Sequence, residues 1–298
     1  MLKQIVVLNA GDLEHFISTF HEAAAARSLT TENIDTKDCL ITIGHNEDNK
    51  AVSVIYNNLP LVTKDTGFVF RRTNQDTYRT YLIATILSKQ APAYIDNANL
   101  LSDKTADKMT IGVLLPLSGI QVPKSILLTN HSYKVNQQFL STHLTFPSVI
   151  KKTGSKGKQV WKVNTLAELE EKLGTDDNLT LIQEYIENDY DLRVFVLDGK
   201  VIAAVRRSSA DGFYNNLSQG GQGEKAEISE QERDICIKAA EIAQLRLAGV
   251  DLVRSPRGPL VFEVNKAPQM DIFNPFVGFD LEKTYSVAVL DDLMRDSK

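Results

Sequence analysis

The segment AGVDLVRSPRGPLVFEVN, residues 248–265, decides how the rest of the chain is read. Two apolar runs, residues 250–253 and 260–264, flank the turn-forming Ser255-Pro256-Arg257-Gly258, so the segment reads as an antiparallel hairpin. Asp251, Glu263 and Asn265 interrupt its valines and leucines. Strand side chains alternate, so Glu263 and Asn265 share a face. Setting Asp251 directly across from Glu263 brings all three oxygen-bearing side chains to that face. It also asks for a connection of odd length, such as Pro256, Arg257 and Gly258. Burying two carboxylates without a cation costs several kcal/mol per charge, so the arrangement calls for a metal. Hard oxygen donors without Cys or His suit Mg²⁺, which fills its remaining positions with water and phosphate. A hairpin with solvated acids is the plainer alternative, and the apolar residues on every side argue against it.

Composition sets the outer limits. The 298 residues suffice for two or three lobes with cores of their own. A net charge of −5 gives no field for wrapping nucleic acid, so no nucleic-acid partner is expected. The two cysteines, Cys39 and Cys236, have neither CxxC nor Cys/His spacing, which argues against a disulfide framework and a zinc site. The amino terminus has too short an apolar run for a signal peptide, and no run of about 18 apolar residues appears, so a cytoplasmic protein without a membrane partner is expected. The five histidines lie at no spacing diagnostic of a triad or a metal site.

Along the chain, the first hundred residues alternate strand-like and helical signals (QIVVLNAGD, Leu13 to Phe20, DCLITIG, AVSVIYN, GFVFRR, YRTYLIATILSKQ), the rhythm of a small α/β domain with a largely parallel sheet. A boundary falls near residues 98–104, followed by a helix ending near Pro116. From Pro147 onward the pattern changes to hairpins. PSVIKK and QVWKV flank the loop TGSKGK, and Thr165 with Glu168 reads as a capping box for a helix stopped by Gly174. The extended runs LTLIQEYI, DLRVFVL and KVIAAVRR follow, the last two joined by the hairpin turn Asp198-Gly199. A long Gly-rich polar loop separates them from a second capping box, Ser229 with Glu232, whose helix is expected to run to Leu247 with Gly249 beyond its end.

Several residues along these elements have chemistry to offer. Lys108 sits on a helix and Lys151 closes an apolar strand, where a point charge meets a phosphate while Gly154, Ser155 and Gly157 present backbone N–H groups. Taken alone, TGSKGK reads as a solvated hairpin tip and Lys108 as a surface lysine. The run LIQEYIENDYDLR can offer its backbone to a purine edge, with Asp191 within reach of a ribose or phosphate; a plain strand with an acidic turn is the alternative. Asp191 and Arg193, two apart, fit an exposed ion pair of under about 1 kcal/mol. Tyr214, Asn215 and Asn216 lie in the Gly-rich loop, with Arg206 just before it as a fork for carboxylate or phosphate. Arg71 or Arg72, ending a strand of the first domain, could face a substrate carboxylate.

Read in order, these pieces resemble the ATP-grasp superfamily, and within it the RimK-type and glutathione-synthetase-like carboxylate–amine ligases. The resemblance implies an α/β (α+β) architecture: an ATP-grasp fold of two α+β lobes preceded by a small α/β pre-ATP-grasp domain. The expected divisions are 1–103 for that domain, 104–182 for the first lobe with its phosphate loop, and 183–298 for the second lobe with the Mg-binding hairpin. The resemblance further implies that Lys108 and Lys151 hold nucleotide phosphates and that Gly154, Ser155 and Gly157 fold over them. Gln183, Glu184, Tyr185 and Ile186 would form the adenine hinge, and Asp191 and the Tyr214-Asn215-Asn216 loop would contact the nucleotide. Arg206, ten positions before Asn216, matches the arginine near the transferred phosphoryl group and substrate carboxylate. Asp251, Glu263 and Asn265 match the metal ligands. Two departures stand out: Tyr214 replaces an arginine common in the family, and NKAPQ lacks the glycine usual after its proline.

The activity so implied uses ATP and two Mg²⁺ ions, with Mn²⁺ as a substitute. A substrate carboxylate attacks the γ-phosphate, stabilised by Lys151 and Arg206, and an amine displaces phosphate from the acylphosphate to give an amide or peptide bond. The partners expected are a small-molecule or peptide carboxylate and an amine, and related ligases are commonly homo-oligomers. A non-ligase ATP-grasp phosphotransferase and a nucleotide-binding module without turnover are the competing readings.

Overall fold

The computed structural model describes residues 1–9, 14–44, 51–71, 77–101, 108–152, 160–175, 177–208 and 221–296. In chain order the first part contains β1 (Gln4–Asn9), α1 (Glu14–Ala25), β2 (Thr30–Asp35), β3 (Leu40–Ile43), β4 (Val52–Tyr56), β5 (Leu59–Pro60), β6 (Thr66–Phe70), α2 (Thr77–Gln90) and β7 (Ala93–Ile95). Strands β2-β1-β6-β7 form an all-parallel sheet, and β3-β4-β5 a small antiparallel one. The parallel sheet follows from apolar strands covered on both faces: Ile5, Val7 and Val69 pack toward one core, and Val6, Leu8 and Phe68 toward another. Strand β2, TTENID, has no apolar pattern of its own; at the sheet edge only Ile34 has to be buried.

The middle of the chain contributes α3 (Lys108–Leu117), β8 (Ser125–Leu128), α4 (Asn130–Val135), α5 (Gln137–His143), β9 (Ser148–Lys152), β10 (Val160–Val163), α6 (Leu166–Leu173) and β11 (Thr180–Glu184). The antiparallel sheet β10-β9-β11-β8 has its own core, including Leu128, Ile150, Leu169 and Ile182. Thr165 caps α6 as expected, but the Glu168 carboxylate takes the N–H of Asn164 at 2.8 Å, one residue upstream of the cap. Helix α3 buries Ile111 and Leu115 in a different core, alongside α7 (Glu230–Ile242).

The remaining elements are β12 (Asp191–Leu197), β13 (Lys200–Ser208), β14 (Gln222–Lys225), α7, β15 (Leu247–Ser255), β16 (Gly258–Asn265), α8 (Asn274–Val277) and α9 (Leu281–Asp296). They build the antiparallel sheet β14-β13-β12-β15-β16. One of its faces packs Leu192, Val194, Ala204 and Val250 against α7 and α3. The other packs Phe195, Val205 and Leu247 against α9 and against Ile5, Phe16 and Tyr94 of the amino-terminal elements, so those elements and this sheet share one continuous core. The Ser229/Glu232 capping box is present, but α7 stops at Ile242 rather than Leu247. Gln244 takes a left-handed conformation, φ 55°, and Leu247 opens β15 opposite Leu197. Gly249 therefore lies inside a strand. No described helix is long and apolar enough to cross a membrane.

Candidate active site

The hairpin of β15 and β16 does place Asp251 opposite Glu263, but by a different device from the expected three-residue turn. The connection is two residues, Pro256-Arg257, between the paired Ser255 and Gly258, and Gly258 has φ 100°. That ladder continues to Leu252 opposite Val261, then skips Phe262 as a bulge. The extra residue supplies the odd count, and beyond it Asp251 meets Glu263 and Gly249 meets Asn265. All three oxygen-bearing side chains thus belong to one face.

The hairpin of β12 and β13 uses the same device with a consequence for the arginines. Asp198 and Gly199 both have positive φ, the two-residue turn its sequence called for. An unbroken ladder from Leu197 and Lys200 would set Arg206 opposite Asp191. Ile202 is skipped between the Phe195–Ala203 and Val196–Val201 pairs, so Asp191 faces Arg207 and Arg206 turns to the other side of the sheet. Arg206 is paired in register with Leu192 and Glu224. Its guanidinium pairs with exposed Glu224 at 3.0 Å and lies 4.0 Å from the Tyr190 ring centroid, on the face opposite the carboxylates.

The site face reads as two charged rows. Arg207 Nε donates to Asp191 Oδ1 at 2.7 Å. In the next row Arg193, Asp251 and Glu263 are consecutive register partners. Arg193 holds Asp251 with both arms, Nε to Oδ1 at 2.5 Å and Nη2 to Oδ2 at 3.0 Å, while Arg207 Nη2 reaches Asp251 Oδ1 at 3.1 Å. Arg193 is therefore no exposed partner of Asp191. With its amide oriented to satisfy both ends, Asn265 donates to Glu263 Oε1 at 3.1 Å and accepts from Arg193 Nη2 at 3.2 Å. Burial pushes the Asp251 carboxyl up, but Arg193 and Arg207 overcome this and hold it below the ordinary value. Asp191, buried and close to Asp251, is pushed up to about 6 despite Arg207.

These rows border a cleft of about 190 Å³ that Asp191, Asp251, Phe262 and Glu263 line from one sheet and Lys151, Gln183, Tyr185 and Ile186 from the other. Lys151 Nζ donates to Gln183 Oε1 at 2.8 Å, and Gln183 Nε2 to Ser125 Oγ at 3.1 Å, which fixes the lysine at the cleft wall. Glu184 turns its carboxylate to the Lys124 N–H, at 2.7 Å, and to Arg257. The Tyr185 N–H is taken by the Pro147 carbonyl at 3.2 Å. A larger cavity of about 520 Å³ shares Lys151, Gln183, Phe262 and Glu263 but is walled mainly by apolar residues of α3, β8 and β16. Asp191 and Asp251 line only the smaller of these two, while Glu263 lines both.

Arg71 is buried. It is 1% exposed, donates to the Pro268 carbonyl at 3.1 Å, lies 3.7 Å from Asp96, and sits near the Phe16 and Tyr285 rings. It ties the end of β6 to the loop that follows Asn265, while its Nε and Nη1 have no hydrogen-bond partner among the described residues. Lys108 begins α3, but its side chain lies outside the described part of the structure. Gly154, Ser155, Gly157, Tyr214, Asn215 and Asn216 lie outside the described residues.

No cluster of three or more His, Cys, Asp or Glu among the described residues is arranged to hold a metal. The set present is two carboxylates and an amide, all oxygen donors on one face, and that chemistry fits Mg²⁺.

A family model described as the RimK-like ATP-grasp domain matches residues 105–288. The chain belongs to that family. A probable alpha-L-glutamate ligase of Aeromonas salmonicida (strain A449) is 30% identical over 275 residues, 89% of each chain. Another, of Xanthomonas campestris pv. campestris (strain 8004), is 30% identical over 289 residues, covering 94% of this chain and 96% of the relative. Among solved structures, the ATP-grasp ligase PsnB complexed with minimal precursor, Mg and ADP superposes with a TM-score of 0.70 at 21% identity, over 98% of both chains. The D-alanine–D-alanine ligase of Bacillus anthracis complexed with ATP gives 0.65 at 17%, over 99% of this chain and 98% of that one. RimK-like ATP-grasp membership makes the protein a ligase and favours that reading over a phosphotransferase or a binding module without turnover.

Proposed function

We propose that this protein is an ATP-dependent ligase that joins a small-molecule or peptide carboxylate to an amine through an acylphosphate, with the nucleotide in the Lys151/Phe262 cleft. The observation that carries the proposal is the cross-strand pair Asp251 and Glu263, flanked by Asn265 and facing Lys151 across that cleft. The three oxygen ligands would hold Mg²⁺, whose contribution when bound is to neutralise charge on the bridging phosphate oxygens.

Lys151, held by Gln183, places a cation at the phosphates from the opposite lobe. Arg207, which takes the place expected of Arg206, offers a guanidinium at the same face for the charge that develops as the carboxylate attacks. Gln183, Tyr185 and Ile186, which line the same cleft, are read as the side that takes the base. The names of the relatives support glutamate as one substrate, and the precursor complexes of PsnB support a peptide as the other.

Incubation with ATP, Mg²⁺ and pools of amino acids and short peptides, with and without hydroxylamine, tests the proposal. Hydroxamate formation tied to ADP release is the expected result. A phosphorylated product that hydroxylamine leaves intact, or no ADP release with any pool, would overturn it.

A further inference from the structure

The two arginines of the site face hold Asp251 in different ways. Arg193 is its register partner and binds both oxygens. Its side chain is also packed in place. Gly249 has no Cβ to displace it, since one there would come within 3.2 Å of Arg193 Nη1, and the Phe273 ring centroid lies 5.8 Å from the guanidinium. Arg207 is anchored elsewhere: its register partner is Asp191, and the bond from Nη2 to Asp251 is a diagonal reach across β12. Asp251 Oδ1 therefore already accepts a hydrogen bond from Arg193 and stands in an ion pair with Arg207. A cation arriving at Oδ1 meets two guanidinium charges already placed at that oxygen. The packed, bidentate Arg193 is the harder of the two to displace.

We infer that Arg207 is a resident counter-ion for Asp251 that withdraws when a divalent cation enters, remaining anchored on Asp191 and turning its released Nη2 toward the phosphates. The inference rests on the reading of Asp251, Glu263 and Asn265 as the metal set. Its physical basis is that a buried carboxylate needs a partner at all times, and that a guanidinium and a dication on one oxygen repel each other. The site would then stay charge-compensated when empty, and nucleotide arrival would exchange one cation for another.

Mn²⁺ provides a direct probe, read by electron paramagnetic resonance on the full chain without nucleotide. Arg207→Met is expected to bind Mn²⁺ about tenfold more tightly than the wild type, because a competing charge is gone. Arg207→Lys, which retains the charge, should stay within about twofold of the wild type. Unchanged or weaker Mn²⁺ binding by a folded Arg207→Met overturns the inference. A wild-type crystal structure with Mg²⁺ and ADP decides the matter even if that variant does not fold. Loss of the Arg207–Asp251 bond with both Arg193 bonds kept is expected, and an intact Arg207–Asp251 bond is the contrary result. Asp251→Asn separates the two levels. If it leaves Mn²⁺ binding unchanged, the metal set itself is wrong; if it abolishes binding while Arg207→Met changes nothing, only the counter-ion role fails.

Discussion

Asp251 and Glu263 face each other across β15 and β16 because Phe262 is one residue too many for the ladder. Without that bulge the two-residue turn would set Phe262 opposite Asp251 and send Glu263 to the other face. The geometry of the proposed cation site therefore depends on a local irregularity at Phe262, which itself lines the cleft.

Two like charges directly opposite on neighbouring strands destabilise a sheet unless something lies between them. Glu263→Gln should therefore leave the metal-free protein at least as stable as the wild type, with the thermal midpoint unchanged or raised by a few degrees. The same change should reduce ATP-dependent ADP formation by about two orders of magnitude or more. Calorimetry and a coupled ADP assay on one preparation check both signs. A large fall in the midpoint would mean that Glu263 is a structural residue.

The register of β12 and β13 makes neighbouring arginines unequal. Arg206 is on the far face with an exposed partner, a pairing worth under about 1 kcal/mol, so Arg206→Ala should leave turnover within about twofold. Arg207→Met should lower kcat by about 100-fold while the KM for ATP changes much less, since its guanidinium is set against charge that appears during transfer. The reverse ranking in steady-state kinetics would restore the assignment to Arg206.

Much of this architecture is legible in the sequence, and the illegible parts have specific causes. The hairpins announce themselves through Asp198-Gly199 and Ser255-Pro256-Arg257-Gly258, and Ser229 with Glu232 marks the start of α7. Bulges carry no comparable signature. Ile202 and Phe262 are ordinary strand residues, and only packing of the finished sheet decides that they are skipped. That is why Arg207 escapes sequence reasoning in favour of Arg206, and why Arg193 reads as a surface partner of Asp191. Strand β2 is hidden for another reason: a parallel edge strand that buries one isoleucine needs no alternation. The over-long reading of α7 takes in Leu245 and Leu247, but Leu247 belongs to β15 and Leu245 to an isolated bridge with Asn97.

Gly249 offers a test of the packing behind the proposed metal ligands. A Cβ there would lie 2.8 Å from Pro268 Cβ and 3.2 Å from Arg193 Nη1, so Gly249→Ala must move the proline loop, the arginine, or both. Overpacking of this kind costs about 1–3 kcal/mol. Urea unfolding should show that loss, and Mg²⁺-dependent nucleotide binding should weaken as Asp251 loses its fixed partner. A stable variant with unaltered Mg²⁺ dependence would show that Arg193 does not position Asp251.

The buried Arg71–Asp96 pair sets a pH dependence of folding. Burial pushes the Asp96 carboxyl up to about 6 from 3.8; Arg71, at 3.7 Å, and the Tyr285 hydroxyl, at 3.4 Å, offset only part of that. Between those two values the folded protein binds a proton that the unfolded chain has already released. Stability contributed by this group is therefore full below about pH 4, falls as pH rises toward about 6, and is level above that. The change has an upper limit of about 3 kcal/mol, two pKa units at roughly 1.4 kcal/mol each. Asp96→Asn removes the titration and should flatten this part of the profile. Glu282, also pushed up by burial and facing His15, titrates in the same direction in both proteins, so the difference between wild type and variant isolates Asp96. Urea midpoints measured in small steps from about pH 4 to about pH 7 give that difference. A wild-type minus variant curve that rises with pH would mean that the Arg71 charge outweighs burial and that Asp96 is ionised throughout.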